Sequence, residues 1–264
     1  MPTIEANGIE LFYERRGAGP RLLFLNGSGS SIATSELLIK LFMNDFDVLV
    51  HDQRGLGRSA IPPGPYTMAE YAADAAALLD HVGWEQTRVV GVSFGGMVAQ
   101  ELAVTCPERI ERLALLCTSP GGSGGASYPL HELAPLPEAE RAPIALALLD
   151  SRFTPEWLAE HPSDRALVDM MAARRDGSKA AEQLRGEALQ LEARREHDVC
   201  DRLPRITCPT LVACGRFDGI APPANGEAIV EHVAGAELHV YQGGHAFFAQ
   251  DPAALPDVLA FLAG

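Results

Sequence analysis

Six short apolar runs recur along the chain: Leu22–Leu25, Val48–Val50, Val89–Val90, Leu113–Cys117, Thr210–Cys214 and Leu238–Tyr241. None alternates polar with apolar residues cleanly, so each suits a strand buried on both faces, as in a parallel sheet. Helical periodicity falls between several of them, over Thr67–His81, Phe94–Thr105, Pro222–Val233 and Ala253–Leu262. Strands alternating with helices predict an α/β fold, a mostly parallel central sheet flanked by helices and joined by right-handed crossovers. Ahead of the series, Thr3–Glu5 and Ile9–Tyr13 flank Asn7-Gly8, the pair favoured by a type I′ turn, which predicts a hairpin.

The alternation stops between residues 119 and 204. Pro120–Ser127 is rich in glycine and serine, as expected of a flexible loop. Helical patterns follow over Ala142–Leu149, Arg165–Arg175 and Ala180–Arg195 with no strand run. We read residues 119–204 as a helical cap inserted into a core made of residues 1–118 and 205–264. A chain of 264 residues, 47% hydrophobic, can bury such a core. Candidate cap residues to line a binding site are Leu146, Phe153, Trp157, Leu167 and Met170, which could equally form the cap's own core.

Composition excludes several roles. A net charge of −14 repels a phosphate backbone, so nucleic acid is not an expected partner. The start Met1-Pro2-Thr3-Ile4-Glu5 lacks a basic stretch followed by an apolar one, so a secretory signal is not expected, and no apolar run approaches the about 18 residues of a membrane helix. Five cysteines, odd in number and without C-x-x-C spacing, are expected as buried reduced thiols in a cytoplasmic protein, although one of them could be a nucleophile. No metal-binding spacing and no phosphate loop is present, and Gly17–Pro20 is a turn, so no cofactor is expected.

The chemistry concentrates at Gly91-Val92-Ser93-Phe94-Gly95-Gly96, a G-x-S-x-G pattern between a strand and a helix. Such an elbow strains the serine backbone so that Oγ projects above the sheet edge, with glycines where side chains would strike backbone. A serine nucleophile needs a base, and the base needs an orienting acid. Among eight histidines, His81, His161, His197 and His232 lie in helical or polar stretches and are expected at the surface. His131 lies in the cap, His239 in a strand, and His51 ends a strand before Asp52. His245 follows the last strand, after Gly243-Gly244, which would let the loop turn sharply back over the sheet. Asp218 follows the Pro209–Cys214 run at the same sheet edge, whereas Asp198 and Asp201 belong to the cap exit and Asp251 opens a helix.

The order Ser93, Asp218, His245, each after a strand, resembles the α/β-hydrolase fold family over about residues 1–118 and 205–264. Asp52–Ser59, "DQRGLGRS", is similar to that family's D-x-R-G-x-G-x-S loop and is read as architecture anchored by Asp52 and Arg54. The resemblance implies a nucleophile at Ser93, a base at His245 and an orienter at Asp218. It also implies an oxyanion hole from the backbone N–H groups of Phe94 and Ser28, in the loop Asn26-Gly27-Ser28-Gly29. Asn26 stands where the commonest pattern has histidine, and is expected to hold the loop by side-chain hydrogen bonds. With G-x-S-x-G-G, it resembles the enol-lactonase and cofactor-free haloperoxidase-like branch. The expected activity is hydrolysis of a carboxylic ester or lactone of a small molecule. Carbon–carbon bond hydrolysis, perhydrolysis, or a slow-turnover ligand receptor on the same fold are the alternatives.

Overall fold

The computed structural model describes residues 2–133, 135–175 and 179–264, with the side chains of residues 174 and 175 also outside the description. Met1 of the N-terminal stretch and four positions of the cap, 134 and 176–178, therefore lie outside the described residues. Eight strands form one sheet: β1 (Thr3–Ala6), β2 (Ile9–Gly17), β3 (Arg21–Leu25), β4 (Asp47–His51), β5 (Thr87–Val92), β6 (Ile110–Leu116), β7 (Thr210–Gly215) and β8 (Glu237–Tyr241). Their order is β1-β2-β4-β3-β5-β6-β7-β8. β1 and β2 form the expected antiparallel hairpin, β2 pairs antiparallel with β4, and every later pairing is parallel. Asn7 and Gly8 both take positive φ, as a type I′ turn requires.

The six apolar runs all fall in strands of this sheet, and the first five point alternately into two cores; β8 is an edge strand, so its run is only partly covered and Val240 is exposed. Leu23 and Leu25 of β3 with Val212 and Cys214 of β7 face one cluster. Leu22 and Phe24, with Leu211 and Ala213, face the other. The first cluster is covered by α2 (Met68–His81), α3 (Phe94–Thr105) and α8 (Pro223–His232), the second by α1 (Ile32–Phe42) and α9 (Ala254–Ala263). Helix α1 has no counterpart among the periodic segments expected from sequence. It is anchored by the buried Ile32, Ile39 and Phe42 with Leu38 partly buried beside them, and a reciprocal Ser31–Thr34 capping box starts it.

Between β6 and β7 the chain forms the inserted helical cap: α4 (Glu138–Leu149), α5 (Pro155–Glu160), α6 (Pro162–Arg175) and α7 (Ala181–Arg195). Its entry loop is tighter than expected. Gly121 bridges to Asp198, and Val199 N–H donates to Pro120 O at 3.0 Å. A Cβ at Gly121 would overlap the His197 carbonyl, and one at Gly122 the Asp198 carboxylate. These glycines let the entry and exit segments touch, and both take positive φ, so close approach and left-handed backbone together account for them. Among the described residues, no helix is long and apolar enough to cross a membrane.

Candidate active site

Three loops leave the carboxyl edge of the parallel part of the sheet, where open α/β sheets present their sites. Ser93 follows β5, Asp218 follows β7 and His245 follows β8. Ser93 has φ 56° and ψ −114°, a conformation that L-residues rarely adopt. Ser93 N–H is tied to Leu116 O at 2.8 Å, and Thr118 Oγ donates to Ser93 O at 2.8 Å. The glycines around it answer to steric need: a Cβ at Gly91 would strike the Gly95 carbonyl, and a Cβ at Gly95 the Leu25 carbonyl. At Gly96 it would lie 2.6 Å from Thr118 Cβ. Helix α3 begins immediately behind Ser93, so the N–H of Phe94 is one of the first-turn donors that have no intrahelical acceptor.

The three side chains expected from sequence are brought together in one hydrogen-bonded chain. The Ser93 hydroxyl donates to His245 Nε2 at 2.9 Å, and His245 Nδ1 donates to Asp218 Oδ2 at 2.8 Å. The Asp218 side chain is fully buried and the imidazole 15% exposed. Asp218 Oδ1 is occupied in turn by the N–H groups of Ile220 and Ala221, at 2.8 and 2.9 Å. This arrangement can pass a proton from the hydroxyl to the imidazole while the carboxylate faces the resulting charge.

The loop after β3 lies against the elbow, since β3 and β5 are neighbours. A Cβ on Gly27 would sit 3.6 Å from Ser93 Cβ. Asn26 does not hold this loop as expected: its Nδ2 is buried without a hydrogen-bond partner among the described residues. Two residues not singled out from sequence hold it instead. Gln53 Nε2 donates to Asn26 O at 2.7 Å, and Gln190 Oε1, on α7, accepts from Gly29 N at 2.8 Å. Ser28 is half-buried between these two anchors.

The "DQRGLGRS" loop is architectural, as expected. Asp52 accepts from Ile32 N at 2.6 Å and Arg58 N at 2.9 Å, and Ser59 Oγ donates to Asp52 O. Arg54 pairs bidentately with the buried Asp74 and also with Glu70. Burial alone would lower the Arg54 pKa, but those two carboxylates outweigh it and leave it raised.

The cap contributes a support that the sequence pattern did not reveal. Gly219 N–H donates to Leu148 O at 3.0 Å, Ser151 N–H to Phe217 O at 2.9 Å, and His245 N–H to Leu149 O at 2.6 Å. The end of α4 thus ties the Asp218 loop to the His245 loop. Gly244 serves this packing, whereas a Cβ on Gly243 would meet Phe247 Cα at 2.8 Å, within the turn that follows β8. Neither has positive φ, and a Cβ on Gly244 would overlap the Leu149 carbonyl.

Other candidates fall elsewhere. His51 is buried at the end of β4, where desolvation lowers its pKa against the pull of Asp74 and Asp52. His197, expected at the surface, is 5% exposed at the cap exit. Burial, offset weakly by the Ser119 backbone, lowers its pKa to about 3, so the ring is neutral at pH 7. The five cysteines form no disulfide. Burial pushes the Cys106, Cys117 and Cys208 thiols up and Cys214 to about 12, which opposes a thiolate nucleophile at these positions. Of the expected lining residues, Phe153 is buried and Met170 exposed, with Leu146, Trp157 and Leu167 between. Trp157 stacks on His161, and its Nε1 donates to Asp164 at 2.8 Å.

A serine on a strained strand-to-helix turn, with acid and base loops from the same sheet edge and a cap above, defines a hydrolase-type α/β architecture. The chain belongs to the α/β hydrolase fold family, whose pattern it matches over residues 20–252. It is 30% identical over 255 residues to 3-oxoadipate enol-lactonase 2 of Acinetobacter baylyi, covering 96% of this chain and 92% of that protein. It is 32% identical over 253 residues to a non-heme haloperoxidase of Rhodococcus erythropolis, covering 92% of each. The crystal structure of the enol-lactonase from Burkholderia xenovorans superposes with a TM-score of 0.82 at 27% identity, over the whole of both chains.

Proposed function

We propose that this protein is a serine hydrolase that cleaves a carboxylic ester or lactone of a small molecule through an acyl-enzyme on Ser93. The observation that carries this reading is the unbroken chain Ser93–His245–Asp218, built on a serine held at φ 56°. Its similarity to enol-lactonases lends support from outside the site.

His245 Nε2 takes the hydroxyl proton as Ser93 Oγ attacks the carbonyl carbon. The carbonyl oxygen gains negative charge and is met by the N–H groups of Phe94 and Ser28, with the positive end of α3 behind them. Asp218 stabilises the imidazolium and keeps Nε2 directed at Ser93. The imidazolium then gives its proton to the leaving alcohol, which for a lactone remains tethered to the acyl group. Water attacks the acyl-enzyme by the same route and regenerates Ser93. Ser93→Ala should keep the fold and lose on the order of 10³-fold or more in kcat on p-nitrophenyl esters. Undiminished turnover in that variant would overturn the reading.

A further inference from the structure

Helix α7 carries a buried cation without a counter-ion. Arg194 is 5% exposed, in a chain whose net charge is −14. Its Nη1 donates to Tyr128 O at 2.7 Å, while Nε and Nη2 are buried without a hydrogen-bond partner among the described residues. No carboxylate among the described residues pairs with it, in contrast to Arg54, Arg152 and Arg202, each of which has an acid within 2.7 Å. Desolvation lowers the Arg194 pKa to about 10, with Asp218 pulling the other way, so the guanidinium stays charged at pH 7. An unpaired buried charge of this kind is strongly unfavourable to a fold unless something completes it.

Arg194 lines a cavity of about 80 Å³ together with Met97, Ser119, His131, Arg195 and His197. Among the described residues, no aspartate or glutamate lines it. Two of its walls begin at the elbow. Met97 lies one helical turn along α3, its N–H 3.3 Å from Ser93 O, and Ser119 follows Thr118, whose hydroxyl binds the same carbonyl. One turn earlier on α7, Gln190 fixes the Ser28 loop. Water in the cavity would satisfy the free donors but leave the charge unpaired. A carboxylate would do both, because its two oxygens match a guanidinium edge.

We propose that Arg194 binds a carboxylate carried by the substrate, so that this protein hydrolyses esters or lactones of short anionic acids. The proposal deepens the hydrolase reading and rests on it. The cavity admits a carboxylate and a few carbons, and the neutral His197 ring provides a wall that does not compete for the anion. Specificity follows from the unpaired donors: a neutral substrate leaves them buried and unmet, whereas an anionic one completes them.

The test compares p-nitrophenyl butyrate with the mono-p-nitrophenyl ester of glutaric acid, on wild type and on Arg194→Gln, together with calorimetric titration of glutarate into both proteins. Wild type should favour the anionic ester in kcat/KM, and Arg194→Gln should reduce that anionic-to-neutral ratio by about 30-fold or more, chiefly through KM. Glutarate should bind wild type and bind the variant at least about tenfold more weakly. A wild-type ratio at or below one, a ratio unchanged by Arg194→Gln, or no heat from glutarate at about 10 mM overturns the proposal. If the variant does not fold, wild type decides through its ratio and through competition of glutarate against the butyrate ester. Glutarate binding without hydrolysis of either ester would instead overturn the hydrolase reading and leave the anion site standing.

Discussion

Asp218→Asn keeps the shape of the side chain and removes its charge, and the surroundings dictate which way the new amide faces. Oδ1 of Asp218 accepts from Ile220 N and Ala221 N at 2.8 and 2.9 Å, so the amide oxygen belongs there. Its NH2 group must then point at His245 Nδ1, 2.8 Å away. Nδ1 becomes an acceptor, the ring proton moves to Nε2, and Nε2 can no longer take the Ser93 proton. The flipped amide would restore the working tautomer only by turning NH2 onto two backbone donors. Leaving those two donors unmet in a fully buried position costs roughly 2–6 kcal/mol, about 1–3 for each. At about 1.4 kcal/mol per decade, the productive arrangement falls about 30-fold to 10⁴-fold, with little change in substrate binding. Initial rates on a p-nitrophenyl ester at pH 7–9, with folding checked by circular dichroism, measure this. Asp198→Asn and Asp201→Asn should stay near wild type, because Asp198 binds Cys200 N in the cap exit and Asp201 is exposed. Activity of Asp218→Asn within tenfold of wild type, or a large loss in either control, would refute the assignment of the acid.

Two further outcomes concern the fold that carries the site. Gly95→Ala puts a methyl group into the Leu25 carbonyl, a backbone atom that cannot rotate away, and should destabilise the protein by at least about 2 kcal/mol in urea titrations. The buried His197 is held neutral with a pKa lowered to about 3, whereas in the unfolded chain it binds a proton below about 6.5. The unfolded state therefore binds more protons between those values. Stability due to this group is complete above pH 6.5 and is lost as pH falls, at up to about 1.4 kcal/mol per pH unit. His197→Gln should flatten the stability profile between pH 6 and 4, and an unchanged slope would count against a neutral buried ring.

How much was legible in the sequence depends on how local each cause is. The sheet strands declare themselves because both faces are buried, which leaves apolar runs such as Leu22–Leu25 and Leu211–Cys214. Ser93 is visible because its strain and crowding demand glycines at fixed offsets. Asp218 and His245 are visible because each follows such a run. What stayed hidden is long-range. Gln190 reaches Gly29 across 161 positions, and the Leu148 and Leu149 carbonyls hold the Asp218 and His245 loops through backbone atoms that any residue offers. Asn26 looked like a loop anchor because asparagine can bond where histidine does, but Gln53 takes that part. His197 was misplaced because its polar, helical neighbours mark a surface segment, whereas the cap exit crosses beneath Gly121 and buries it.

The central claim is that Ser93 is the nucleophile. Its most direct test is intact-mass and peptide analysis after treatment with an activated alkyl phosphonate. One phosphonyl group should add per chain, on the peptide holding Ser93, with activity lost in step and no addition to Ser93→Ala. Labelling at another residue, or full activity in a stoichiometrically labelled protein, would contradict the account.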